Sequence, residues 1–139
     1  MIEIKKLELL AAHLERGKLF HEKFDILVYH QQYDSRKPPR ECQTLGCAIG
    51  ECPGLWPEDW AWTDNGVRLT RGQRSNMLAA RVFFELSGAE CEHLFMAGHQ
   101  FPDRFGGELL DSNATAAQVA ANIRAFIDVQ TKTGTPHAR

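Results

Sequence analysis

The sequence predicts a mainly α fold with a minor β component: a compact single domain of about five helices, with a small β-hairpin near Trp60–Leu69. Three observations point there. Apolar residues recur at helical spacing in separate windows, and two of these windows open on a Ser/Thr-x-x-Glu/Gln pattern. An Asn65-Gly66 pair lies between short stretches of alternating side chains, the strongest short-range hairpin signal. The 139 residues also show no internal repeat and no linker, which suits one domain of ordinary size. A chain this long buries roughly 68–70% of its unfolded surface, enough for one core without metal or disulfide staples.

Taken in order, Ile4, Leu7, Leu10, Ala11 and Leu14 make an amphipathic helix that ends near Gly17 to Leu19, with Glu3, Lys6, Glu8, His13 and Arg16 on the opposite face. Phe24 to Tyr29 is aromatic and β-branched, so it reads as a strand or an extended buried segment. His30 to Glu41 is polar and contains Pro38-Pro39, which marks a loop. Thr44 is placed to cap a short helix from Leu45 through Gly46, Ala48 and Gly50, with Pro53-Gly54 ending it. Small residues on that helix allow another element to approach closely.

Trp60 and Trp62 alternate before the turn, and Val67 and Leu69 after it. A helix beginning at Ser75 or Asn76 carries Met77, Ala80, Phe83 and Leu86. Ser87-Gly88-Ala89-Glu90 is a capping box that opens the next helix, through Cys91, Leu94 and Phe95. Ala97 to Asn113 is the longest loop-like stretch, of a length often functional or mobile. Thr115-Ala116-Ala117-Gln118 is a second box, opening a helix through Val119, Ile123, Phe126 and Ile127. Residues 1–130 are expected to form the globular domain, and 131–139 a flexible C-terminal tail.

The composition, 43% hydrophobic and 24% charged, is that of a globular domain. A net charge of −2 argues against a whole-surface nucleic-acid footprint. No apolar run approaches the ~20 residues that cross a bilayer, so no membrane partner is expected. Met1 to Lys6 has no long apolar stretch and does not read as a signal peptide, so the expected location is the cytoplasm. Cys42, Cys47, Cys52 and Cys91 are accordingly expected as reduced thiols.

Four constellations have chemical potential. Cys47, in the first turn of a helix capped by Thr44, would feel a field that favours thiolate. With His99 or His93 as base and Asp103 or Asp111 as orienter, it would form a cysteine-dependent hydrolase or transferase site. A free cysteine is nevertheless among the most buried residue types, which favours an architectural role. Cys42, Cys47 and Cys52, with Cys91, His93 and His99, offer zinc donors, but their five-residue steps do not match the usual pairs two to four apart, so no metal site and no cofactor is assigned. Arg68, Arg71, Arg74 and Arg81 lie in a stretch without acids from Val67 to Phe84, either a solvated face or a surface for an acidic partner or a phosphate backbone, the last without any helix-turn-helix, RNA-binding or zinc-finger pattern beside it. Trp56, Trp60 and Trp62 are core, a lid over the Cys47 helix, or an interaction surface.

Cys42-x-Thr44-x-x-Cys47-Ala48-x-Gly50, preceded by Lys23-Phe24-Asp25, resembles a family of small uncharacterised proteins from bacteria and tailed phages. Those carry a Cys-Gly-Thr-x-x-Cys-x-x-Gly-like segment, then an aromatic-rich helix and a Leu-Phe pair. Phe83-Phe84-x-Leu86-Ser87 and Leu94-Phe95 are similar to the later parts, and Thr115 to Ile127 to the closing helix. Gln43 stands where the family has glycine. The resemblance implies a shared fold and a phage or mobile-element context, and it transfers no catalytic residue. No motif has the completeness of an enzyme centre. The leading expectation is a small non-enzymatic interaction or regulatory protein with a protein partner, touched through Trp56, Trp60, Trp62, Arg68, Arg71 and Arg74.

Overall fold

The stripe of Leu7, Leu10, Ala11 and Leu14 is buried along α1 (Ile4–Arg16) in the computed structural model, which describes residues 1–21, 23–29, 31–32, 44–63 and 66–133. Gly17 closes the helix in the left-handed conformation, φ 73°, with its N–H bonded to the Leu14 carbonyl at 3.3 Å. His13, expected on the solvent face, is buried instead. It lies on the shoulder of the apolar stripe, where a neighbouring element covers it.

Three short strands follow: β1 (Lys23–Phe24), β2 (Gln31–Gln32) and β3 (Thr44–Gly46). They form one sheet with β3 in the middle, parallel to β1 (Lys23 opposite Leu45) and antiparallel to β2 (Gln31 opposite Leu45). This corrects two expectations. Gln31 and Gln32 are strand rather than loop, and Thr44 opens a strand rather than capping a helix. The backbone groups of β3 are paired on both sides by distant segments, which local capping signals cannot announce. After Phe24 the chain turns. The Asp25 carboxylate accepts from Leu27 N–H at 3.0 Å, an Asx turn.

The helical part of the cysteine segment starts later, as a 3₁₀ turn (Ile49–Glu51) leading into α2 (Cys52–Leu55). Pro53, expected to end a helix, lies in the first turn of α2, where its missing N–H leaves no bond unmade. The small residues serve close approach as expected. A Cβ on Gly50 would collide with the backbone carbonyl of Tyr29, and one on Gly54 with the ring of Phe20.

The hairpin pairs β4 (Trp60–Thr63) with β5 (Gly66–Leu69), antiparallel, Trp60 opposite Leu69 and Thr63 opposite Gly66. Asp64 and Asn65 lie outside the described residues, as do His30, 33–43 with Pro38-Pro39, Cys42 and Gln43, and the tail from 134. Then come α3 (Asn76–Phe84), α4 (Gly88–Phe95), α5 (Pro102–Phe105) and α6 (Ala116–Thr133). Both capping boxes form as read. Ser87 Oγ accepts from Glu90 N–H at 3.1 Å while Glu90 accepts from Ser87 N–H at 2.7 Å, and Thr115 and Gln118 do the same at 3.1 and 2.8 Å. The last helix continues through Thr133, so the tail expected from residue 131 is helical in its first three residues.

Ala97 to Asn113 is not a free loop. It contains α5, and buried amides hold it. Gln100 donates to the carbonyls of His93 (2.8 Å) and Met96 (2.6 Å) and accepts from Leu110 N–H (2.9 Å). Asn122 of α6 grips both backbone groups of Glu108, at 2.9 and 2.8 Å. The molecule is thus mainly α with a minor β hairpin and one core, in which α1 packs along α6, with Trp60, Phe84, Leu94 and Phe126 fully buried. Among the described residues no helix is long and apolar enough to cross a membrane.

Candidate functional site

The cysteine segment leads inward. Glu51 is fully buried, and four donors converge on its carboxylate. His13 Nε2 lies 2.7 Å from Oε1, which also accepts from Phe20 N–H at 2.7 Å. His21 contributes its Nδ1 at 2.5 Å and its backbone N–H at 3.1 Å, both to Oε2. Burial alone would push this carboxyl up. The bonds from His13, His21 and Phe20 outweigh it and hold the group down at about 2, so the carboxylate is ionised. Phe20 stacks on the His13 ring at 5.0 Å, and Trp62 donates from Nε1 to the Gly50 carbonyl at 2.9 Å. The knot joins α1, the segment after it, the 3₁₀ turn and the hairpin.

Cys47 lies just ahead of the 3₁₀ turn, with its own N–H bonded to the Val28 carbonyl at 2.7 Å. It is 2% exposed. Burial pushes its thiol up to about 11, although the backbone N–H groups of Gly50, Ile49 and Cys47 itself pull the other way. Cys47 thus precedes a 3₁₀ turn and does not sit in the first turn of a helix capped by Thr44, and desolvation of a thiolate overrides the pull of these N–H groups. Cys52 and Cys91 are likewise buried free thiols, pushed up by burial, Cys91 to about 12.

The expected catalytic partners of Cys47 each stand in a setting of their own. His99 is half-exposed, 3.7 Å from the Glu92 carboxylate, and Asp103 is exposed in the first turn of α5. Asp111 closes its own turn by accepting from Asn113 N–H at 2.8 Å. His93 is a core side chain. Its Nδ1 accepts from Phe101 N–H at 2.9 Å, its ring packs against Phe105, and burial pushes its pKa down. Among the described residues no three or more His, Cys, Asp or Glu side chains are arranged to hold a metal ion.

The tryptophans divide. Trp60 is core at 1% exposure, Trp56 packs edge-on against Phe83 and Phe84, and Trp62 roofs the 3₁₀ turn. Trp56 and Trp62 are only half-buried, and Trp62 also meets the Phe20 ring edge-on at 6.4 Å.

The arginines stand differently. Residues 68–75 form a closed turn: Leu69 N–H bonds to the Arg74 carbonyl at 2.9 Å, and Arg68 bridges to Ser75. Gly72 and Gln73 at its tip take positive φ, 82° and 57°. Thr70 lashes the turn to the entrance of the hairpin through Asp59 and Glu58 carbonyls, both at 2.9 Å. Asn76 holds the other end, with Oδ1 accepting from Val67 N–H at 3.0 Å. Arg68, Arg71 and Arg74 are exposed on this fixed scaffold, and Arg81 is exposed on α3 beside Leu78 and Val82, which are 46% and 47% exposed. Among the described residues none of these four arginines has an acid within ion-pair distance, whereas Arg124 pairs with Glu15 at 2.9 Å and Lys132 with Asp128 at 3.0 Å.

Sequence reasoning missed the Glu51 knot. Its one local signal is the placement of His13 three residues after Leu10 and next to Leu14. No family model, curated protein or solved structure matches the chain.

Proposed function

We propose that this chain is a small non-enzymatic interaction or regulatory protein that binds a protein partner, in the phage or mobile-element setting that its sequence resemblance implies. The observation that carries the binding reading is the arginine turn: four exposed cations on a braced scaffold, none with an acid in ion-pair distance among the described residues, beside the exposed Leu78 and Val82. Exposed arginine adjoining apolar surface is the composition enriched where proteins meet. The cysteine alternative draws no comparable support, because the Cys47 thiol is buried and neutral.

The test is photo-crosslinking in the native host. A photoreactive residue replaces Leu78 or Val82, and a control replaces Leu9, which is 57% exposed on α1. A defined protein adduct from positions 78 and 82, absent from position 9 and lost when Arg71, Arg74 and Arg81 become glutamate, is the expected result. Adducts that ignore the charge reversal, or arise equally from position 9, overturn the reading.

A further inference from the structure

A cleft of about 310 Å³ opens between the turn that follows β1, the first turn of α3 and the end of α4. Ile26 and Phe95 line it from the core. Its reachable apolar surface comes from the half-buried Met77, Met96 and Ala97, and from Leu27, which is 64% exposed. The backbone around it is tied: Asp25 holds the Leu27 N–H, and Gln100 donates to the Met96 carbonyl at 2.6 Å. The cleft is therefore preformed, and it stands at the lower end of the ~300–1,000 Å³ range of small-molecule sites. Two polar side chains line it, Tyr29 and His99. Among the described residues the Tyr29 hydroxyl has no hydrogen-bond partner, and the His99 ring has only the Glu92 carboxylate, 3.7 Å from Nδ1. Burial pushes the pKa of Tyr29 up, so the phenol keeps its proton. The described lining holds no carboxylate, ammonium or guanidinium, and Glu92 stands ready to balance the His99 ring.

We propose that this cleft binds a small uncharged aromatic molecule, of one ring or two fused rings, whose polar group meets the Tyr29 hydroxyl. The site goes beyond the binding reading above and does not depend on the arginine turn. Size selects a ring system over a protein segment, because a specific protein interface needs about 800 Å² on each partner. The two methionines select a flat ring. Their thioether sulfurs make favourable contacts with ring edges, and their unbranched chains close around a flat shape. Charge is selected against on both sides. An anion would find the His99 ring already faced by Glu92, and a cation would find no carboxylate in the described lining. Burying an unpaired charge costs far more than burying a hydroxyl or N–H that is hydrogen-bonded. The free Tyr29 hydroxyl supplies that bond, as acceptor or donor.

The experiment follows the methionine methyl groups of the isotope-labelled full chain by NMR. The chain has three methionines, and the third, Met1, is 99% exposed and serves as the internal control. Phenol and indole are titrated into wild type, A97F, L27A and Y29F, with cyclohexanol and benzoate as comparisons. The expected result is that the Met77 and Met96 signals move together and saturate, with a dissociation constant of about 1 mM or tighter for at least one aromatic probe, while Met1 stays still. A97F fills the cleft and should weaken binding about tenfold or more; L27A strips the rim and Y29F removes only a hydroxyl, and each should weaken it about threefold. Cyclohexanol and benzoate should bind more weakly than phenol. Equal or tighter binding of either overturns the ligand class and leaves the cleft standing, and indifference to Y29F overturns the polar contact. Met77 and Met96 signals that do not move, that move only as Met1 does, or that respond equally in A97F and L27A overturn the site itself. None of these results touches the crosslinks expected at positions 78 and 82, so the two readings fail separately.

Discussion

Two clusters of charged residues lie in this small molecule, and they are built on opposite principles. Around Glu51 a charge is taken fully out of water and every bond it needs is supplied by His13, Phe20 and His21. In the arginine turn four charges stay in water, with no described acid assigned to any of them, while the backbone beneath is tied at several points. In the first the charge holds the fold together. In the second the fold holds the charge in place. A matched buried carboxylate is costly to disturb because its partners lose their acceptor too. An unmatched exposed cation contributes little to folding, and that leaves it free to serve contact with something else.

Breaking the knot should have the largest effect. Glu51→Ala removes the buried acceptor shared by His13, Phe20 and His21, and we expect a loss of about 3–5 kcal/mol in chemical denaturation. The pH dependence gives a second reading of the same group. Its folded pKa, about 2, lies below the ordinary value of 4.5. The carboxylate thus contributes stability that is fully present above about 4.5 and is lost as pH falls toward 2. At 1.36 kcal/mol per pKa unit the contribution is on the order of 3 kcal/mol. Unfolding followed from pH 6 to 2 should show that slope in wild type and a flattened one in Glu51→Gln. Equal slopes in both proteins would mean the buried charge is not what acid removes.

The knot also depends on close packing behind it, where the chain was only partly legible in advance. Gly46, Ala48 and Gly50 announced close approach, but not what approaches. The Tyr29 carbonyl comes from a segment some twenty residues earlier, and its position depends on the pairing of β3 with β1 and β2. Gly50→Ala should therefore cost about 1–3 kcal/mol, because backbone rather than a pliable side chain occupies the space. A neutral result would show that the turn can back away from Tyr29 and that the segment is looser than its geometry implies. By contrast both capping boxes were readable, since donor and acceptor lie three residues apart and need no tertiary partner. Pro53 was misread because proline marks a helix start as readily as an end, and only the course of the chain decides which. His13 was misread because it stands on the shoulder of the stripe, where burial depends on a covering loop.

The arginine turn supplies the smallest expected effect on folding and the sharpest contrast. The acid-free run from Val67 to Phe84 was visible in the sequence, but the lack of ion pairs to its arginines among the described residues is a three-dimensional fact, since Glu58 and Asp59 come close in the fold without pairing. Reversing Arg71 and Arg74 to glutamate removes no described ion pair and leaves the hydrogen bonds of the turn in the backbone, at Leu69 and Thr70. The midpoint of denaturation should thus stay within about 0.5 kcal/mol of wild type, the range of surface substitutions away from special features. A loss of more than 1 kcal/mol would mean these cations stabilise the fold after all, and the difference between the two clusters would shrink to one of depth. Unchanged stability alongside lost crosslinking at Val82 is the combination that assigns the turn to recognition, since only a surface held in place by other bonds can change its charge without changing its shape.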